Sequence, residues 1–316
     1  MQMEVDPDFE CDFRDEEVLQ AAVDELLRLG NAACDCPLTA GTTFAATLNC
    51  VTPHPHGRAP PRFASQLRRA YAIVLDHALH AEKGKLEVWL AHVVDPADGT
   101  VGEIVVKVVQ PSLLVLPDQP EYVPPKKVAY TEDWMYRRLQ PLQGYEIPYY
   151  FGVHTIVTPS GEGAWMLTME YIQGHTITQY LNTLHDSSNP DITPVPIDVT
   201  PETHDRMKQI MVSSLEGINA IHARGVLHGA VQSDNIVIST ACPAGPLVVY
   251  IDFARGVEYP GDNTHAIDNE QYAAPLFAIK CCAAHGYPLQ EWGKSALFPN
   301  GPKYPRLRWF LQAMFS

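Results

Sequence analysis

Positive charge is scarce in this sequence. Its 316 residues hold 22 Lys and Arg against 37 Asp and Glu, a formal net charge of -15. That balance repels nucleic acid and anionic membrane surfaces alike, so neither is expected as a partner. Apolar runs are short as well: none reaches the roughly 18 residues needed to cross a bilayer. No basic start followed by an apolar stretch marks a secretory signal, and the expectation is a soluble intracellular, cytoplasmic protein. Paired cysteine motifs are also lacking. The seven cysteines are odd in number, include the adjacent Cys281 and Cys282, and form no repeated C-x-x-C, a pattern of reduced thiols rather than of a disulfide framework. Cys34 and Cys36, with His54 and His56, have C-x-C and H-x-H spacings that are not those of a structural zinc site.

What is present divides along the chain. The first 25 residues carry ten acidic side chains and one Arg. Val18, Ala22, Leu26 and Leu29 recur at helical spacing, which predicts a helix over 16–29 with Asp15 as N-cap and Gly30 as stop. Residues 49–62, rich in Pro and His, read as a connector. The segment 65–80 is ambiguous between a helix and a helix followed by a strand. Leu86–Val94 and Ile104–Val109 read as two strands around the turn DPADG, with Lys107 alternating out of the apolar face of the second. A proline-rich loop over 111–125 precedes a helix over 131–140. Two more strands, IPYYFGVHTIV and GAWMLTMEYIQG, follow after Gly144. A short helix over 176–184, a proline-rich loop over 187–201 and a long amphipathic helix over 202–224 come next.

The organising stretch is VLHGAVQSDNIVI, from Val226, followed by PLVVYIDFARG. Two apolar runs joined by a turn around 240–245 place His228 and Asn235 beside the first strand and put Asp252 at the end of the second. A carboxylate and a carboxamide at neighbouring strand ends can share a hard, oxygen-ligated ion such as Mg2+. In order along the chain, Lys107, Glu132, Met169-Glu170, His228, Asn235 and Asp252 resemble the signature residues of the protein kinase superfamily, over roughly residues 71–255. The HG and IDFA pairs are closest in flavour to fungal kinase-like proteins and also look like small-molecule phosphotransferases.

The resemblance implies an α+β, bilobal kinase-like fold. Residues 1–70 would be an acidic extension, 71–172 a small antiparallel-sheet N-lobe with one helix, and 173–316 a minimal, mainly helical C-lobe. It further implies that Lys107 neutralises the α and β phosphates of ATP and pairs with Glu132, with Asp133 as the rival partner. Met169 would be the gatekeeper, Glu170 and Ile172 would offer backbone groups to the adenine edge, and Asn235 and Asp252 would hold Mg2+. Four expected parts are missing. AEKGKLEV supplies only Gly84, with Lys83 and Lys85, where a Gly-rich phosphate loop should lie. Ala230 stands at the position of the catalytic Asp, and Gln232 at that of the loop Lys. The 64 residues after Asp252 contain AAP but no A-P-E, and suggest one helix over 262–286 and another over 306–315.

Alanine neither orients a hydroxyl nor accepts its proton, and general-base catalysis is worth roughly 10^2 to 10^4 in rate. Asp234, the nearest carboxylate, would face away from the acceptor. The expectation is therefore a pseudokinase with weak ATP and Mg2+ binding, little or no phosphotransfer, and a role exerted through a protein partner. An active atypical protein or small-molecule kinase and a nucleotide-free scaffold are the alternatives.

Overall fold

The computed structural model describes residues 15–65, 69–80, 86–184, 201–240, 248–259 and 270–271. They fall into two compact units. The first comprises the chain up to Pro53, Ala59–Arg138 and Pro148–Tyr171; the second comprises His54–Arg58, Leu139–Ile147 and the chain from Ile172 onward.

The first unit begins with helix α1, Glu16–Asp35. Asp15 caps it, accepting from the N–H groups of Glu17 at 3.0 Å and Val18 at 3.4 Å. The helix does not stop at Gly30. A side chain there would meet the Ser112 carbonyl at 3.3 Å, so this glycine serves close packing rather than termination.

Six strands follow: β1 Thr43–Thr47, β2 Ala70–His80, β3 Glu87–Asp95, β4 Gly99–Val109, β5 Tyr150–Val157 and β6 Gly163–Glu170. They form one antiparallel sheet in the order β1-β2-β3-β4-β6-β5. The two-residue period puts Phe44, Ile73, Ala91, Ile104, Val106 and Met166 on one buried face, where they form a single apolar cluster. Each large aliphatic side chain fully buried there contributes about 1.5–3 kcal/mol. The two edge strands are linked near one end: after β1 the chain crosses to β5, and the Asn49 N–H donates to the Phe151 carbonyl at 2.8 Å. Helix α2, Pro125–Arg138, packs against β4, β5 and β6.

In the second unit, β7 Gly174–Thr176 leads into helix α3, Ile177–Leu184. Helix α4, Pro201–His222, precedes β8 Val226–Leu227, β9 Ile236–Ser239, β10 Val248–Tyr250 and β11 Val257–Glu258. Strands β10, β9 and β7 form one small sheet, and β11 and β8 another.

These elements correct the expected fold class. A bilobal kinase-like fold, with a small sheet and one helix followed by a mainly helical second half, does not form. The dominant feature is the large six-stranded antiparallel sheet. Its growth has a local cause: Thr43–Thr47 alternates exposed and buried residues and pairs with β2, and 70–80 is an 11-residue strand rather than part of a helix. Among the described residues the second unit has only α3 and α4 as α-helices longer than one turn, beside two small sheets. The glycine-poor segment 81–85, the turn 241–247, most of the proline-rich loop before 201 and the helix over 306–315 lie outside the described residues. Of the helix over 262–286, only Glu270 and Gln271 are described, and they are helical. No described helix is long and apolar enough to cross a membrane.

Candidate functional site

In the first unit, the strand period turns Ile104, Val106 and Val108 into the apolar cluster and sends Lys107 to the opposite face, which α2 covers. Lys107 lies opposite Leu167, while Val105 lies opposite Met169. From α2, Glu132 reaches back, and its carboxylate accepts from Lys107 Nζ at 2.6 Å. Both side chains are buried, 7% and 1% exposed, so neither charge leans on water. Glu132 is thus the partner of Lys107. Asp133, the rival, accepts instead from Arg137 Nε at 2.8 Å, one turn along the helix.

The neighbouring residues fix this face. Tyr136 stacks on Tyr150 with ring centroids 4.8 Å apart. Its hydroxyl donates to the Met169 sulfur at 3.6 Å, so the expected gatekeeper is braced from α2. Burial, reinforced by the Asp133 carboxylate, pushes the Tyr150 hydroxyl far above the ordinary phenol range. Burial likewise pushes His154 on β5 down, and its ring lies 3.2 Å from the Thr168 hydroxyl. Glu170 spends both its groups on Tyr149: its N–H donates to the Tyr149 carbonyl at 2.8 Å, and its carboxylate accepts the Tyr149 N–H at 3.0 Å.

In the second unit, Ile172 packs with Val237 and Val249 in an apolar cluster on the β9–β10 hairpin. That hairpin carries Asn235 and Asp252, the pair expected to hold an ion. Asn235 immediately precedes β9, Asp252 follows β10 by two residues, and the Ile251 N–H donates to the Asn235 carbonyl at 3.0 Å. Asn235 Nδ2 donates to the Ala230 carbonyl at 3.0 Å, which leaves Oδ1 as the side-chain atom suited to a cation. Asp252 has φ of 66°, the one non-glycine residue with positive φ among those described. Backbone held in this sparsely populated region is concentrated at functional sites.

The loop between β8 and β9 is anchored by His228, which is fully buried. Its Nδ1 accepts the Ala230 N–H at 3.3 Å, which puts the proton on Nε2, and Nε2 donates to the Ile251 carbonyl at 3.0 Å. Burial pushes this imidazole below its ordinary pKa. His228 is therefore a neutral latch tying the loop to the strand end before Asp252. Gly229 follows with φ of +75°, and a side chain there would collide with the Arg255 carbonyl. Asp234 is exposed, as is Gln232, and Ala230 is half-buried with no proton-accepting side chain.

One contributor escaped the sequence reading. Glu270 accepts from the Gly229 N–H at 2.6 Å through Oε1, and from the His228 N–H at 2.9 Å and His222 Nε2 at 2.8 Å through Oε2. Burial acts to raise its pKa, but the His222 ring and the two amides outweigh it and hold the carboxyl below the usual range. His222, at the end of α4, is buried and belongs to this anchor. A glutamate 42 residues beyond His228 has no local pattern to mark it; the only signal is a buried loop whose amides need an acceptor.

Chemically, one unit presents a buried lysine amine paired with a buried carboxylate. The other presents a carboxamide before β9 and a carboxylate after β10, with no proton-accepting side chain at Ala230. No protein-family model matches this sequence, and no curated protein matches it at a significant level.

Proposed function

We propose that this chain acts as a pseudokinase: it binds ATP with Mg2+ weakly, transfers little or no phosphate, and works through binding. The observation that carries the reading is the buried Lys107–Glu132 pair. Desolvating two charges costs several kcal/mol, and an apolar pair of equal volume is often as stable or more so. A sheet that keeps the ion pair therefore keeps a charge for use, and an oriented ammonium suits the phosphates of a nucleotide. Asn235 Oδ1 and the Asp252 carboxylate are the hard oxygen donors that would hold a Mg2+. Such an ion would supply neutralisation of phosphate charge; the chain's own part would be to hold it. Ala230 accepts no proton from an acceptor hydroxyl, which by the usual magnitude of general-base catalysis raises the barrier by about 3–5 kcal/mol.

Calorimetric titration of the full chain with ATP, with and without Mg2+, tests the proposal. Saturable binding that needs Mg2+ and is lost in Asp252→Ala is expected, with no ADP formed over hours. No heat at millimolar ATP would overturn it and favour a nucleotide-free scaffold, a reading supported by the engagement of the Glu170 N–H with Tyr149. ADP formation abolished by Asp252→Ala would instead mean an active enzyme.

A further inference from the structure

The outer face of α2 joins no part of the site just described. Its inner face buries Ala129, Glu132, Asp133, Met135 and Tyr136. The residues it exposes are Lys127, Tyr130, Trp134, Arg137 and Arg138, which recur at helical spacing and form one stripe. Tyr130 is 44% exposed and Trp134 54%, and four residues apart they stand one above the other. No acid is exposed along the stripe: Glu132 is turned inward to Lys107, and Asp133, itself buried, pairs with Arg137. In a chain of net charge -15, this is a strip of cationic and aromatic residues. Trp, Tyr and Arg are also the residue types that concentrate binding energy at protein interfaces.

We propose that the outer face of α2 is a docking surface for an acidic amphipathic segment of a partner protein. Apolar side chains of that segment would cover Tyr130 and Trp134, and its carboxylates would meet Lys127 first, with the exposed Arg138 and the Asp133-paired Arg137 at the far end of the stripe. Charge complementarity selects this occupant. The same strip would attract a nucleic acid locally, but the net charge of the molecule repels one at longer range. The proposal is independent of nucleotide binding and stands or falls without it.

Selection from a randomised peptide library on the full chain, followed by titration of the enriched peptides, tests it. Enriched peptides are expected to be acidic, to carry apolar residues one helical turn apart, and to lose at least tenfold in affinity with Trp134→Ala and again with Lys127→Glu. Both positions are exposed, so the urea midpoint of each variant should match that of the parent chain, which separates lost binding from lost folding. Enrichment of neutral or basic peptides, or equal binding by the Trp134→Ala chain, would overturn the proposal. So would tighter binding of a single-stranded oligonucleotide, a self-association abolished by Trp134→Ala, or photo-cross-linking from position 134 to residues 1–14 of the same chain.

Discussion

The two units bury a carboxylate in different company. Glu132 meets a full positive charge, Lys107, in the space between a sheet and a helix. Glu270 meets two backbone amides and an imidazole at the end of a loop. The first arrangement desolvates two charges and gains a strong attraction; the second desolvates one and satisfies donors that burial would otherwise leave unpaired. The difference separates their purposes. An amide cradle is a way to hold a loop in shape, whereas an ion pair is a costly way to hold two elements together, and makes sense where the charge itself is needed.

Three experiments press on that contrast, in falling order of effect. Lys107→Met alone should destabilise the chain by about 3–5 kcal/mol, because Glu132 is left buried without its cation. The double variant Lys107→Met, Glu132→Leu should recover most of that loss in urea unfolding while abolishing ATP binding. A double variant as unstable as the single one would mean that the pair is structural after all. Gly229→Ala, in the other unit, should cost about 3 kcal/mol. That sum combines about 1–2 kcal/mol for left-handed backbone with a similar penalty for forcing a methyl group against the Arg255 carbonyl. Chemical denaturation with an unchanged m-value would report it, and a loss under about 1 kcal/mol would show that the loop relaxes easily.

The smallest effect concerns pH. His228 and His154 both have folded pKa values pushed below the ordinary imidazole value by burial. Their neutral forms stabilise the fold above the unfolded value of about 6.5, and that contribution is lost as pH falls below it. Glu270, with a lowered folded pKa, adds stability that is present above its unfolded value of about 4.3 and lost as pH falls through the folded one. Unfolding midpoints measured from pH 8 downward should therefore decline in two stages. A Glu270→Gln chain should keep the histidine stage and lose the lower one; a curve that keeps both would remove Glu270 from the anchor.

The parts that were legible in the sequence are those with a local signature. Lys107 was visible as a lone cation in an apolar alternation, whereas Glu132 was suggested only by the family resemblance, with Asp133 as its rival. Asn235 and Asp252 were visible at the edges of short apolar runs, and Asp15 as a helix cap. The parts that were not depend on distant packing. Thr43–Thr47 is too short and too rich in Thr and Ala to announce an edge strand until β2 is there to pair with it, and this, with the strand over 70–80, enlarged the sheet beyond the expected small one. Gly30 looked like a helix stop, but its meaning lies in Ser112, 82 residues away in sequence. Glu270 and His222 carry no periodicity at all; they acquire a role only when the loop after β8 turns its amides inward.

The hydrogen bond from Asn49 to Phe151 bears on how copies of this protein meet one another in a crowded solution. A strand at the edge of a sheet offers unpaired backbone groups as a template on which another chain can add. On β5 that template is interrupted: the register against β6 shifts between Tyr150 and Gly152, and the carbonyl of the residue between them is already taken by Asn49. A strand arriving from a second molecule would find its ladder blocked at Phe151 and kinked at the same residue. At β5 the sheet thus denies a neighbour the unbroken edge from which intermolecular sheet growth would start.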